Sequence, residues 1–159
     1  MVVVREVSPD DWEVLRDVRL AALREAPYAF GSTYAREAPF TPEQWRARIN
    51  ARSATFFGYL PEISEPAGLA GIYVEDGIPD VVSMWVRPSA RGHRVGEALI
   101  TAAADWAKAH DHDAVFLWVT ESNAPARTLY ERCGFKPTGD RQPLPSNQEL
   151  TEIRMRRPL

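Results

Sequence analysis

The sequence predicts a mixed α/β fold, in which a central, mostly antiparallel sheet of about seven strands carries helices on both faces. Three observations predict it. β-branched apolar runs alternate with segments whose apolar residues recur at three and four positions, so strands alternate with amphipathic helices. Residues 53–60, 69–75 and 81–86 form three strand-like runs with short connections, as in an antiparallel meander. Residues 114–119 are continuously apolar, as in a strand buried on both faces. The implied order is β-α-α-β-β-β-α-β-α-β-β, without internal repeat, low-complexity tract or linker. The 159 residues suit one domain spanning 1–159, long enough to bury a core.

The elements follow in order. Residues 2–7 are a β-branched run. Ser8-Pro9-Asp10-Asp11 then opens a helix, with Ser8 as N-cap, Pro9 at the first helical position and two carboxylates at the positive dipole end. Trp12, Leu15, Val18 and Ala22 give it one apolar face to about Ala26, before Pro27. Residues 27–34 are aromatic and small, which suits packing on the core or lining a pocket. Thr41-Pro42-Glu43-Gln44 is a capping box starting a second helix to about Arg52, with Trp45 and Ile49 inward. After the three strands, apolar residues from Val95 to Trp106 line a helix ending near His110. Ser122-Asn123-Ala124-Pro125 caps another helix, closed by Gly134. Residues 139–148 read as a polar, proline-containing loop, and 150–157 as a last strand.

Composition narrows the function. Hydrophobic residues make up 45% and charged residues 26%, which is ordinary for a globular domain. A net charge of −3 argues against sequence-independent nucleic-acid binding. Cys133 is the sole cysteine, so no internal disulfide is expected. Charge arrives at Arg5, too early for a signal-peptide core, and no apolar run reaches membrane-spanning length. A cytoplasmic protein with no membrane, nucleic-acid or metal partner is expected.

The chemistry concentrates at Arg91-Gly92-His93-Arg94-Val95-Gly96, between a strand and a helix. The first N–H groups of a helix lack intrahelical partners and favour a bound phosphate. The glycines allow close approach, and three basic side chains surround the spot. An ordinary strand-to-helix connection with solvated arginines fits the same residues. Neither a P-loop nor a dinucleotide fingerprint is present. The loop instead resembles the acyl-CoA pyrophosphate loop of the Gcn5-related N-acetyltransferase (GNAT) family, [QR]-x-x-G-x-[GA], with Arg94 in place of the first glycine. A second block, residues 119–135, resembles the next segment of that family. Asn123, Leu129, Tyr130, Gly134 and Phe135 match it in spacing. The two blocks stand in the family's order and separation, and the resemblance covers residues 81–135.

That resemblance implies a GNAT-like sheet and an acetyl-CoA-dependent N-acetyltransferase that moves an acetyl group directly to a primary amine in a ternary complex. It assigns the pantetheine arm to the backbone of Met84, Trp85 and Val86, by strand augmentation. It assigns the pyrophosphate to Arg91, Gly92, His93, Arg94, Val95 and Gly96. Asn123 would face the pantetheine, and Tyr130 would bind near the sulfur and protonate the leaving thiolate. A tyrosine of pKa near ~10 remains protonated at pH 7 and can do so; a half-buried core aromatic is the alternative role. The acceptor wall is assigned to Tyr28, Phe30, Trp85 and residues 139–148. A base must deprotonate the amine. Family members that acetylate ribosomal proteins carry a glutamate five residues before the asparagine, where this chain has Trp118. Glu37, Glu75, Asp76, Glu121 and a water chain are the candidates. A small-molecule amine is the leading acceptor, a protein or peptide amine the alternative, and a non-catalytic acyl-CoA-binding module a third reading. The family often forms homodimers, and strands near the C-terminus could pair.

Overall fold

A computed structural model describes residues 1–50 and 53–159. Seven strands form one sheet: β1 (Val3–Glu6), β2 (Ser53–Tyr59), β3 (Gly68–Glu75), β4 (Ile78–Val86), β5 (Ala114–Thr120), β6 (Lys136–Leu144) and β7 (Asn147–Pro158). Their spatial order is β1-β2-β3-β4-β5-β7-β6. All neighbours are antiparallel except β4 and β5.

The helices are α1 (Trp12–Glu25), α2 (Tyr34–Glu37), α3 (Pro42–Ala47), α4 (Val95–Ala109) and α5 (Ala124–Arg132). Local signals set their starts. Ser8 and Asp11 form a capping box over the 3-10 turn Pro9–Asp11 that leads into α1. The Thr41 hydroxyl accepts from Gln44 N at 3.2 Å while Gln44 Oε1 accepts from Thr41 N at 2.8 Å, a reciprocal cap that satisfies two orphan groups. The short helix α2 adds to the expected order; Thr33 Oγ1 caps it by accepting from Arg36 N at 3.2 Å. The expected end of the second helix near Arg52 lies outside the described residues, and α3 itself stops at Ala47.

Each sheet face buries its own apolar cluster. Between α4 and the sheet, Leu99 and Ile100 of the helix pack in one cluster with Ile72, Val81, Val115, Leu117, Phe135 and Met155. On the other face, Leu15 and Leu23 of α1 and Trp45 of α3 pack with Phe57, Leu69 and Trp85. The strands alternate between these clusters because successive side chains point to opposite faces. Phe116, Trp118 and Thr120 on β5 therefore share a face with Glu152 and Arg154 on β7, through the register Thr120↔Glu152 and Trp118↔Arg154.

One expectation is corrected. Residues 139–148 are not an irregular loop but most of β6, the turn at Pro145-Ser146 and the start of β7, which together form a β-hairpin. The stretch reads as loop because β6 is an exposed edge strand, where Pro137 and Pro143 cost little and polar residues face water. Gly139 takes φ +99 where the β6–β7 register shifts, as a bulge requires.

Candidate active site

The site begins with a fork in the sheet. β4 and β5 pair only at Asp80↔Phe116, and beyond that point the two strands part. A bulge in β4 contributes. Val82 stands opposite Gly71 and Trp85 opposite Leu69, so β4 carries one residue more than β3 over this interval. Ser83, within it, takes a left-handed φ of +59. A bulge bends its strand and increases its twist, and here it turns residues 84–86 from β5.

The gap is a cleft of about 660 Å³, within the usual range for ligand pockets. Its lining includes Met84, Trp85, Val86, Arg91, Gly92, Arg94, Val95, Gly96, Asn123, Tyr130 and Tyr28. The structure thus brings both sequence blocks onto one cavity. Ala26, Tyr28 and Ala29 line it from the α1 side, and Leu129 with Ala126 from the α5 side, so the cleft passes through the sheet.

At one mouth, α4 begins on Val95, and Val95 and Gly96 of its first turn, where N–H groups lack intrahelical partners, line the cleft. Arg94, its N-cap, has φ 64 and ψ 22. This is the left-handed region that glycine occupies most readily, which explains why a glycine fits the loop pattern there and what an arginine costs. Gly92 takes φ +85 with open space where a side chain would stand. Gly96 has a second reason to be glycine: a Cβ there would lie 2.8 Å from Leu129 Cδ2 and 3.2 Å from Met84 Cε. Its missing side chain lets α5 pack against α4. Arg91 donates from Nη2 to Glu25 Oε1 at 2.7 Å and from Nε to the Val86 carbonyl at 3.1 Å. Trp85 Nε1 donates to the other Glu25 oxygen at 3.2 Å. Glu25 thereby ties the loop to the end of α1. His93 is exposed and does not line the cleft.

At the opposite wall, Asn123 caps α5, its Oδ1 accepting from Ala126 N at 3.4 Å. Tyr130 lies two turns on, 7% exposed, with its ring edge-on to Phe135 at 5.9 Å. Burial, reinforced by the nearby Cys133 thiol, pushes the Tyr130 hydroxyl pKa well above its ordinary value. Ionisation is therefore disfavoured and the hydroxyl keeps its proton.

The acceptor-side expectations fare unevenly. Tyr28 is 47% exposed and lines the cleft. Phe30 does not: it is a core residue, 5% exposed, with the Arg19 guanidinium 5.0 Å from its ring centroid. Trp85 lines the cleft, but its indole belongs to the core under α1. An aromatic stretch fits a core wall and a pocket wall equally, and the sequence carries no signal that separates them.

The candidate bases are mostly engaged. Glu37 is buried, accepting from Arg19 Nε at 2.9 Å, Arg19 Nη2 at 3.0 Å and Arg48 Nη1 at 2.6 Å. Burial opposes its charge, but the two arginines prevail and hold its carboxyl down to about 2, too acidic to take a proton from an ammonium. Glu121 is paired with both terminal nitrogens of Arg141. Glu75 and Asp76 sit at the β3–β4 turn, at the far end of β4 from residues 84–86. Trp118 stands beneath Arg154, whose guanidinium lies 5.1 Å from its ring and pairs with Asp80.

Comparison with known proteins agrees with this architecture. The profile described as "Acetyltransferase (GNAT) family" matches residues 16–135. A putative [ribosomal protein bS18]-alanine N-acetyltransferase of Bacillus subtilis is 33% identical over 104 residues, 65% of this chain and 69% of the relative. A mycothiol acetyltransferase of Clavibacter michiganensis is 37% identical over 70 residues, which is 44% of this chain but 23% of that longer protein. The crystal structure of the PaiA N-acetyltransferase from Thermoplasma acidophilum in complex with coenzyme A superposes with a TM-score of 0.71. It covers 100% of this chain and 99% of the other at 15% identity, a likeness of fold.

Proposed function

Because this chain belongs to the GNAT family of acetyltransferases, we propose that its cleft binds acetyl-CoA and delivers the acetyl group to the primary amine of a small molecule. The observation that carries this reading is the convergence on one cavity of the α4 N-terminus, the stretch of β4 that parts from β5 and Tyr130. The lining suits the cofactor. N–H groups at the helix start, with Arg94 and Arg91 beside them, match a pyrophosphate. The edge of residues 84–86 that faces away from β3 suits an amide-bearing arm. The Thermoplasma relative of this fold was crystallised with coenzyme A.

Acetyl-CoA supplies an activated acyl group as a thioester. The protein's own part is to hold it, exclude water and place a donor. Tyr130, kept protonated by burial, meets the sulfur as negative charge develops there, an interaction stronger in the transition state than in the ground state.

Tethering of the segment that carries Tyr28 favours a preformed wall and hence a small acceptor. The segment 28–31 is strapped across the sheet: Thr120 Oγ1 donates to the Tyr28 carbonyl at 2.7 Å, and Ser146 Oγ donates to the Phe30 carbonyl. Both bonds pin the segment that carries Tyr28, a wall of the cleft. A protein amine is the second reading, favoured by the named activity of the Bacillus relative.

The test is thiol release from acetyl-CoA with a panel of amines and alanine-initiated peptides, for the wild type and Tyr130→Phe. A proton donor contributes ~10²–10⁴-fold in rate. The expected loss falls on kcat, with acetyl-CoA affinity unchanged by calorimetry and the fold confirmed by circular dichroism. A Tyr130→Phe protein that keeps most of its kcat overturns the donor role, and preferred turnover of peptides overturns the small-molecule acceptor.

A further inference from the structure

Glu152 is a buried carboxylate that the machinery above leaves unused. It lies on β7 and is 7% exposed. Gln142 Nε2, from β6, donates to its Oε1 at 2.5 Å. Among the described residues, no other side chain bonds or pairs with the carboxylate. The nearest cation on its own strand, Arg154, is committed to Asp80 through both terminal nitrogens. Across the other neighbouring elements, Glu121 and Arg141 pair with each other, and Thr120 and Tyr28 present a hydroxyl and a carbonyl already bonded together. A carboxylate rarely stays nine-tenths buried without a cation or metal to offset lost hydration.

Its position says which cation would fit. Glu152 is directly opposite Thr120, at the end of β5 where the sheet opens, so their side chains stand about 5 Å apart at Cβ on the same face. Thr120 holds Tyr28, a wall of the cleft. Trp118, diagonal to Glu152 across the β5–β7 ladder, keeps the adjoining surface aromatic. The carboxylate thus lies on the α1 side of the fork, across the sheet from the α4 N-terminus.

We infer that Glu152 is the group that receives the acceptor: its carboxylate binds the amine as an ammonium ion and takes the proton that must leave before nitrogen can attack. This rests on the acetyltransferase reading above. The ammonium transfers one proton to Glu152, which releases it to water. The nitrogen lone pair then forms the C–N bond, the C–S bond breaks, and the excess proton remaining on nitrogen balances the one that sulfur gains through Tyr130. Burial pushes the Glu152 carboxyl above the usual range, against the opposing pull of Gln142 and Arg154, which makes it a better proton acceptor than an exposed glutamate.

The experiment compares benzylamine, protonated at pH 7, with hydroxylamine, largely neutral there, using acetyl-CoA and following thiol release. In Glu152→Gln, kcat/KM for benzylamine should fall ~10²-fold or more, and the benzylamine-to-hydroxylamine rate ratio should drop by at least about tenfold. The acid limb of the kcat/KM profile should disappear in Glu152→Gln and survive in Glu152→Asp, which keeps the carboxylate. Acetyl-CoA affinity by calorimetry should be the same in all three proteins. Equal losses with both nucleophiles, or an unchanged acid limb in Glu152→Gln, overturn the inference while leaving the enzyme reading intact. Wild-type protein that binds acetyl-CoA but releases no thiol with any amine overturns the reading beneath it.

Discussion

The two sides of the fork hold their polar groups in opposite ways. On the side of α4 and α5, Arg94, Asn123 and Tyr130 are presented by their neighbours in sequence, although Arg91 is held by Glu25, 66 residues away. Arg94 heads the helix it caps, Asn123 bonds three residues ahead, and Tyr130 follows two turns later on the same helix. On the side of α1, α2 and the β6–β7 hairpin, the groups meet across long separations. Arg19 and Glu37 are 18 residues apart, Asp80 and Arg154 are 74, and Tyr28 and Thr120 are 92. The first side is, apart from the tie between Arg91 and Glu25, a property of short segments, and the second exists only once the sheet has closed. A binding site for a common cofactor can be built from the first kind, while a site for a particular acceptor is more readily altered when it depends on the second.

Substitutions can break or sharpen this contrast. The largest effect is expected at Glu37. Glu37→Gln leaves Arg19, 6% exposed, without its counter-charge, and breaking a buried ion pair from one side costs ~3–5 kcal/mol. Urea unfolding measures this; a loss below about 1 kcal/mol, as for exposed pairs, would place this cluster with the surface. The same carboxylate sets a pH signature. Its folded-state pKa is about 2 against an ordinary 4.5, so its contribution is full above the ordinary value and is lost as pH falls toward about 2. Glu37→Gln should flatten stability across that window, as followed by thermal melts from pH 5 to pH 2.

The local side should respond more mildly. Asn123→Ala removes a cap whose bond is long, at 3.4 Å, and should cost about 0.5–1 kcal/mol, together with a loss of acetyl-CoA affinity by calorimetry. A fall in melting temperature alone would reduce Asn123 to a structural cap. The smallest effect has the opposite sign. Arg94→Gly relieves a left-handed arginine, worth about 1–2 kcal/mol, at a glycine entropy cost of about 0.5–1 kcal/mol, for a net gain of roughly 0.5 kcal/mol. Thermal melts should show a more stable protein while calorimetry shows weaker acetyl-CoA binding. If both rise together, Arg94 has no part in holding phosphate.

Legibility follows the same division. The capping boxes at Ser8 and Thr41, the helix start at Val95 and the loop between β4 and α4 could all be read because each depends on residues within one or two turns. The hairpin of β6 and β7 was obscured by its exposed edge, whose polar residues and prolines look like a loop. Phe30 was indistinguishable from a pocket wall, because an aromatic residue suits either side of one. Glu152 gave no signal at all in the sequence, since its burial and its lack of a cation depend on which strands flank β7.

The sequence by itself therefore determined the order of elements apart from the short helix α2, the turn and cap chemistry and the position of the two motif blocks, because these arise from backbone preferences and periodicities acting over a few residues. Only the tertiary structure decided where the strands part, which carboxylates are clamped by arginines and which one is buried with an amide as its bonded partner. Those outcomes depend on sheet register, which places residues tens of positions apart within hydrogen-bonding distance, and on burial, which determines how strongly each charge is felt.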